Sequence, residues 1–144
     1  FCDMDIVVID GLGGGIGAQL VAQLRQALPE AEILALGTNA AATERMLKAG
    51  AERGASGENA IQASIGLGDL VMGPIGIVVP NGLMGEISPA IAEAIFSARG
   101  RLILVPVQQP HFVLAGLPAQ PMSQLVNAAV EAAREALGAA EAGA

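Results

Sequence analysis

A turn built from glycine follows the first apolar run of this chain. Ile6-Val7-Val8-Ile9-Asp10 leads into Gly11-Leu12-Gly13-Gly14-Gly15-Ile16-Gly17, and a helical pattern begins at once. Backbone N–H groups in such a turn can close on a phosphate, because glycine removes the Cβ barrier and a helix N-terminus carries unpaired donors with partial positive charge. In one register the turn reads as G-x-G-x-x-G/A, with Gly13, Gly15 and Ala18 at the small positions. The ligand expected there is anionic and nucleotide-like. Glycine also lets a helix pack closely on a strand with no ligand at all, and the pattern alone does not separate the two.

Polar residues gather where other strands should end: Thr38 and Asn39, Asn81 and Glu86, Gln108 and Gln109. In an open parallel sheet, ligands bind outside these carboxyl ends, so one crevice could gather the whole set. Turn and cap chemistry explains any single one of them equally well. The acidic residue that holds an NAD ribose, due about 20 residues after the glycines, is absent. Gly37-Thr38-Asn39 stands in its place, with neutral groups that tolerate a 2′-phosphate better than a carboxylate, and no arginine stands beside them in the sequence. Asp10 puts a carboxylate next to the phosphate position, which is repulsive unless a cation or a helix terminus screens it. It could orient the turn or hold a metal.

Asn81, Glu86 and His111 are the side chains to test for chemistry. A Glu beside an amide could serve as a general base or bind a ribose. His111 is the single histidine and Cys2 the single cysteine, so a cysteine zinc site and a disulfide framework are excluded, and no metal site is assigned. Glu58 reads as a carboxylate favoured by a helix start. Ala55-Ser56-Gly57 misses the G-x-S-x-G nucleophile elbow.

These residues need a scaffold, and alternating apolar runs and 3.6-period segments supply it as βαβ units. Strands are expected at 5–9 and 32–37. The helix after the first strand carries Ile16, Leu20, Leu24 and Leu28 and stops at Pro29; a second runs over 40–49, capped by Thr38 or Asn39. Residues 50–68 are glycine-rich, with a short helix at 58–64. A third strand at 69–72 is broken by Gly73-Pro74, and 75–79 reads as another strand or a buried loop. Ser88-Pro89 caps a helix ending near Gly100, 102–105 is a buried strand, 112–115 an edge strand or hairpin partner, and a final helix starts near 121–123.

At 144 residues the chain fits one α/β domain and is too short for a dehydrogenase with a separate substrate domain. With 53% hydrophobic and 2% aromatic residues, the core must be aliphatic. No apolar run approaches the roughly 20 residues of a spanning helix, so no membrane role is expected. The net charge of −7, with basic residues scattered apart from Arg99 and Arg101, carries no nucleic-acid footprint. No leader pattern precedes Met4, which makes the cytoplasm the expected compartment.

The run from Val8-Ile9-Asp10-Gly11 through Gly17, with Ala35-Leu36-Gly37-Thr38-Asn39, Met46-Leu47-Lys48-Ala49-Gly50-Ala51, Gly57-Glu58-Asn59-Ala60-Ile61, Gly73-Pro74-Ile75-Gly76-Ile77 and Gly85-Glu86-Ile87-Ser88-Pro89, resembles an uncharacterised bacterial domain-of-unknown-function family met mostly in anaerobes. The resemblance covers most of the chain from Met4. It implies a small Rossmann-like protein and carries no substrate or catalytic residue across.

The expectation is therefore an α/β, three-layer Rossmann-like domain with a mainly parallel sheet over 4–138, a non-native or disordered start at 1–3 and a frayed tail at 139–144. It would bind a small phosphate-bearing ligand, NAD or NADP, through Asp10, Gly11, Gly13, Gly14, Gly15, Ile16, Thr38, Asn39 and Gly73, and form a homo-oligomer. Two rivals stand beside it: a non-catalytic homo-oligomeric module that senses a metabolite, and a metal-handling protein using Asp10, Glu86 or His111.

Overall fold

In a computed structural model, residues 4–108 and 112–142 are described, and five apolar segments pair into one all-parallel sheet. The strands are β1 (Met4–Asp10), β2 (Ile33–Gly37), β3 (Arg53–Ser56), β4 (Gly68–Pro74) and β5 (Arg101–Val105), in the order β3-β2-β1-β4-β5. The helices are α1 (Gly15–Ala27), α2 (Ala40–Ala49), α3 (Glu58–Ser64), α4 (Pro89–Phe96) and α5 (Met122–Ala142).

The three layers follow from the alternation of side chains along the central strands. Ile6 and Val8 of β1, Ile33 and Ala35 of β2, and Leu70 and Met72 of β4 pack with Leu20, Val21 and Leu24 of α1, Met46 of α2 and Val126, Ala129, Val130 and Ala133 of α5. Val7, Ile9, Leu34, Leu36 and Val71 turn to the other face, onto Ile61 of α3 and Ile91, Ala92 and Ile95 of α4. A strand covered on both faces must be apolar at every position, which is why β1 and β2 read as unbroken runs. No helix among the described residues is long and apolar enough to cross a membrane.

Helix boundaries follow their caps. Asn39 Oδ1 accepts the Ala42 N–H at 2.8 Å and starts α2; Ser88 Oγ accepts the Ile91 N–H at 3.1 Å and starts α4, with Pro89 at its first position. The short helix α3 spans the residues expected of it. Helix α5 continues through Gly138 to Ala142.

Two expectations are corrected and one choice is decided. Strand β4 is not broken at Gly73-Pro74 but runs to Pro74, paired with Val105; a Cβ on Gly73 would stand 2.4 Å from the Ile9 carbonyl oxygen, so this glycine lets two strands approach. Residues Ile75–Val78 are not a strand; of the two alternatives the buried connection stands, as a 3₁₀ turn, because the proline at the end of β4 turns the chain and Ile77 is buried. Among the described residues 112–115 form no strand: Phe112 makes an isolated bridge, and the chain turns at 115–116, where Gly116 has φ 82°. Strand β3, inside the glycine-rich stretch, was not expected. It is a four-residue edge strand with mostly exposed side chains, and such a strand carries no apolar run.

Candidate functional site

The strand order reverses between β1 and β4, and a cleft of 520 Å³ opens there at the carboxyl ends of the strands. One wall is the glycine turn from Asp10 to Ile16. Facing it are Pro74 at the end of β4, Val107 beyond β5, and residues 81–84 of the loop between the 3₁₀ turn and α4.

Within the turn the glycines serve two different ends. The Gly14 N–H donates to the Gly11 carbonyl at 2.9 Å, and Gly14 lies at φ 74° as the N-cap of α1. A Cβ there would meet Ala42 Cα at 2.8 Å and its carbonyl oxygen at 2.9 Å; on Gly17 it would meet Met46 Sδ at 2.6 Å and Asp10 Cβ at 2.8 Å. Packing requires glycine at both. At Gly13 the nearest atom to an added Cβ is Arg45 Nη1 at 3.9 Å, and at Gly15 the same atom at 3.5 Å, with neither backbone in the left-handed region. Packing requires no glycine at either of these. Among the described residues the N–H groups of Gly13, Gly15 and Ile16 have no protein acceptor.

Asp10 is 4% exposed, and its two oxygens accept the Gly11 N–H at 2.8 Å and the Gly17 N–H at 2.7 Å. Screening by the helix terminus, one of the two conditions for tolerating it, is met, and Asp10 holds the turn against α1. Burial pushes its carboxyl above the ordinary carboxylate range and the Glu86 charge adds to this, while the two N–H bonds and the Arg45 guanidinium oppose it.

Thr38, Asn39 and Glu86 come together, but off the cleft wall. Glu86 Oε1 accepts from the Leu12 N–H at 2.8 Å, the Thr38 hydroxyl at 2.5 Å and Asn39 Nδ2 at 2.9 Å. Asn39 Nδ2 also donates to the Leu12 carbonyl at 3.0 Å. The carboxylate missing from the end of β2 is thus present in space, brought there by a loop 48 residues further along the chain. The Thr38 and Leu12 bonds hold the Glu86 carboxyl below its ordinary range, with Asn39 adding to them, which makes it a weak proton acceptor.

Asn81 lines the cleft at φ 64°, and its side chain has no hydrogen bond among the described residues. Gly73 does not line the cleft, whereas the next residue, Pro74, does. His111 and Gln109 lie outside the described residues. Among those described, no group of three or more His, Cys, Asp or Glu side chains is placed to hold a metal ion.

Arg45 is the residue that sequence reasoning overlooked. From α2 its Nη1 donates to the Gly13 carbonyl at 3.3 Å, setting a cation beside the free N–H groups. A signal existed: Arg45 lies three positions after Ala42, one helical turn along the face that meets Gly14.

Among solved structures the chain is similar to a candidate oxidoreductase from Pseudomonas putida KT2440, with 16% identity and a TM-score of 0.47 over 92% of this chain. The match spans only 38% of that protein's length. It is also similar to a dodecameric FMN-dependent Ubix-like decarboxylase from Escherichia coli O157:H7, with 18% identity and a TM-score of 0.45 over 90% of this chain and 75% of that one. No curated protein matches the sequence. Residues 5–138 match the family described as a domain of unknown function, DUF3842, and the chain belongs to that family.

Proposed function

We propose that the cleft between β1 and β4 binds a phosphate-bearing nucleotide, with its phosphate on the N–H groups of Gly13, Gly15 and Ile16 and the Arg45 guanidinium alongside. The observation that carries this reading is the division among the glycines. Gly14 and Gly17 are explained by packing, whereas a Cβ on Gly13 or Gly15 would meet only the Arg45 guanidinium, at ordinary contact distance, and both carry unpaired donors at a helix N-terminus. A bound phosphate needs the bare backbone there; the fold does not.

NAD or NADP is the cofactor expected from the sequence, and that expectation assigns the adenosine ribose to Thr38 and Asn39. Both side chains are engaged by Glu86, so the reading kept is the wider one, a nucleotide phosphate. Asp10 holds the turn in shape through the Gly11 and Gly17 N–H groups. A second reading uses the same cleft in a non-catalytic homo-oligomeric sensor; the exposure of Phe96 (73%) and Val113 (79%) favours it, since contact between copies would cover such side chains.

The test is thermal denaturation with a panel of NAD, NADP, FAD, FMN, nicotinamide mononucleotide, AMP and ATP, using the parent protein and Gly15→Val. A ligand at about 100 times its Kd adds roughly 2.7 kcal/mol to the native state, a rise of several degrees at this size. The expected result is a selective rise in the parent that Gly15→Val abolishes while remaining folded. An equal rise in both proteins, or none with any nucleotide, refutes the proposal.

A further inference from the structure

We infer that the cleft takes a mononucleotide and that Glu86 closes the place where the second, adenylate half of a dinucleotide would lie. The inference rests on the nucleotide reading above and narrows its ligand.

The crevice over an open α/β sheet extends from the phosphate turn in two directions, toward β4 and toward β2, and a dinucleotide occupies both. Toward β4 the cleft is open, walled by the glycine turn, Pro74, Leu83 and Val107, and its 520 Å³ is within the usual size of a small-molecule site, about 300 to 1,000 Å³. Toward β2 it is filled. The position a Cβ on Gly11 would take stands 2.5 Å from Thr38 Oγ1, 2.8 Å from Glu86 Oε1 and 3.0 Å from Leu83 Cδ1. Thr38, Asn39 and Glu86 are absent from the cleft wall.

The filling is also wired. An adenosine ribose placed at the end of β2 must displace a carboxylate that accepts from the Leu12 N–H, the Thr38 hydroxyl and the Asn39 amide, and must then satisfy all three donors itself. Hydrogen bonds to an ionised group are about twice as strong as those between neutral groups, so hydroxyl oxygens of a sugar are poor replacements. A mononucleotide leaves these bonds intact: its phosphate meets Gly13, Gly15 and Ile16, and its sugar and base lie toward Pro74 and Val107.

Calorimetric titration of the intact protein with matched pairs tests this, nicotinamide mononucleotide against NAD and FMN against FAD. Wherever a pair binds, the mononucleotide should bind at least as tightly as its dinucleotide. Glu86→Gln should shift the ratio about tenfold toward the dinucleotide. Thr38→Val removes one donor without removing the loop's carboxylate and should shift it the same way by less, so the result does not depend on Glu86→Gln folding. A dinucleotide that binds measurably tighter than its mononucleotide to the parent overturns the inference and leaves the nucleotide reading standing. A ratio unmoved in both variants removes Glu86 as its cause. Failure of every pair to bind sinks the nucleotide reading itself.

Discussion

Alanine at Gly14 and alanine at Gly15 are neighbouring changes of one methyl group, and they should behave oppositely. At Gly14 the backbone lies at φ 74°, a left-handed conformation that costs an alanine about 1–2 kcal/mol. The new Cβ also lands 2.8 Å from Ala42 Cα and 2.9 Å from its carbonyl oxygen. Both are backbone atoms of α2, so no side chain can swing aside, and forcing them apart adds about 1–3 kcal/mol. The expected loss is about 2–5 kcal/mol, a large part of the roughly 5–15 kcal/mol that holds a domain folded. At Gly15 the nearest atom is Arg45 Nη1 at 3.5 Å, the far end of a flexible side chain, and alanine is the better helix former. Its effect should stay within about 0.5 kcal/mol. Urea denaturation of the two variants, followed by circular dichroism, reads the difference. Equal losses would mean that Gly15 is also a packing glycine, and the division on which the phosphate site rests would be gone.

Arg45→Ala should leave stability within about 0.5 kcal/mol, since the side chain is exposed, while weakening nucleotide binding and flattening its salt dependence; isothermal titration at two salt concentrations checks both. Because the Glu86 carboxyl is held below its ordinary range, its contribution is present above the unfolded value of about 4.3 and lost as pH falls through the folded one. Glu86→Gln should therefore be about 1–3 kcal/mol less stable than the parent at pH 7, with the gap closing in acid; a gap independent of pH refutes the assignment of charge. Met84 is 92% exposed at φ 56°, so Met84→Gly should relieve left-handed strain without losing packing and raise stability by about 0.5 kcal/mol after the entropy cost of glycine. A fall in melting temperature would show that the Met84 side chain matters to the loop. Sedimentation velocity should find more than one copy per particle; a strict monomer counts against the oligomeric sensor.

The fold was readable where a residue's neighbours in sequence are also its neighbours in space. Strands β1 and β2 carry the continuous apolar signature of buried strands, and the cap at Ser88-Pro89 announces α4 through a local hydrogen bond. Strand β3 was hidden because an edge strand needs no apolar face. Gly73 looked like a break because the reason for it, an Ile9 carbonyl oxygen 2.4 Å from where a Cβ would stand, belongs to another strand. The site divides in the same way: the glycine turn is local and was legible, whereas the Glu86 bonds join residues 47, 48 and 74 positions apart. Thr38 and Asn39 could be read as free groups only because nothing near them in the sequence reveals their partner.

Strain ties that partner to the cleft. Among the described residues four other than glycine have a left-handed backbone, Leu12, Asn81, Leu83 and Met84, and all four line the cleft. The conformation is costly for Leu12, Leu83 and Met84 and less so for Asn81, and such costs persist only where the surroundings hold them in place. The restraints are visible: Glu86 Oε1 takes the Leu12 N–H, and the loop closes on itself through the Asn81 N–H to the Ile87 carbonyl at 2.7 Å and the Ile87 N–H to the Gly82 carbonyl at 3.1 Å. Gly82 is pressed onto the 3₁₀ turn, where a Cβ would stand 2.4 Å from the Gly76 carbonyl oxygen. A rim that served packing alone would relax to ordinary backbone at Met84, whose side chain is in solvent. That it does not, while the Glu86 carboxylate fastens the glycine turn to the end of β2 and to this loop, ties the strain on the two facing walls to one restraint behind them. Release of that carboxylate should therefore loosen Leu12 and the loop together. Hydrogen exchange on Glu86→Gln should show faster exchange at Leu12 and across 81–87 with α5 unchanged, and slow exchange at both places would separate the strained rim from the carboxylate that is argued to hold it.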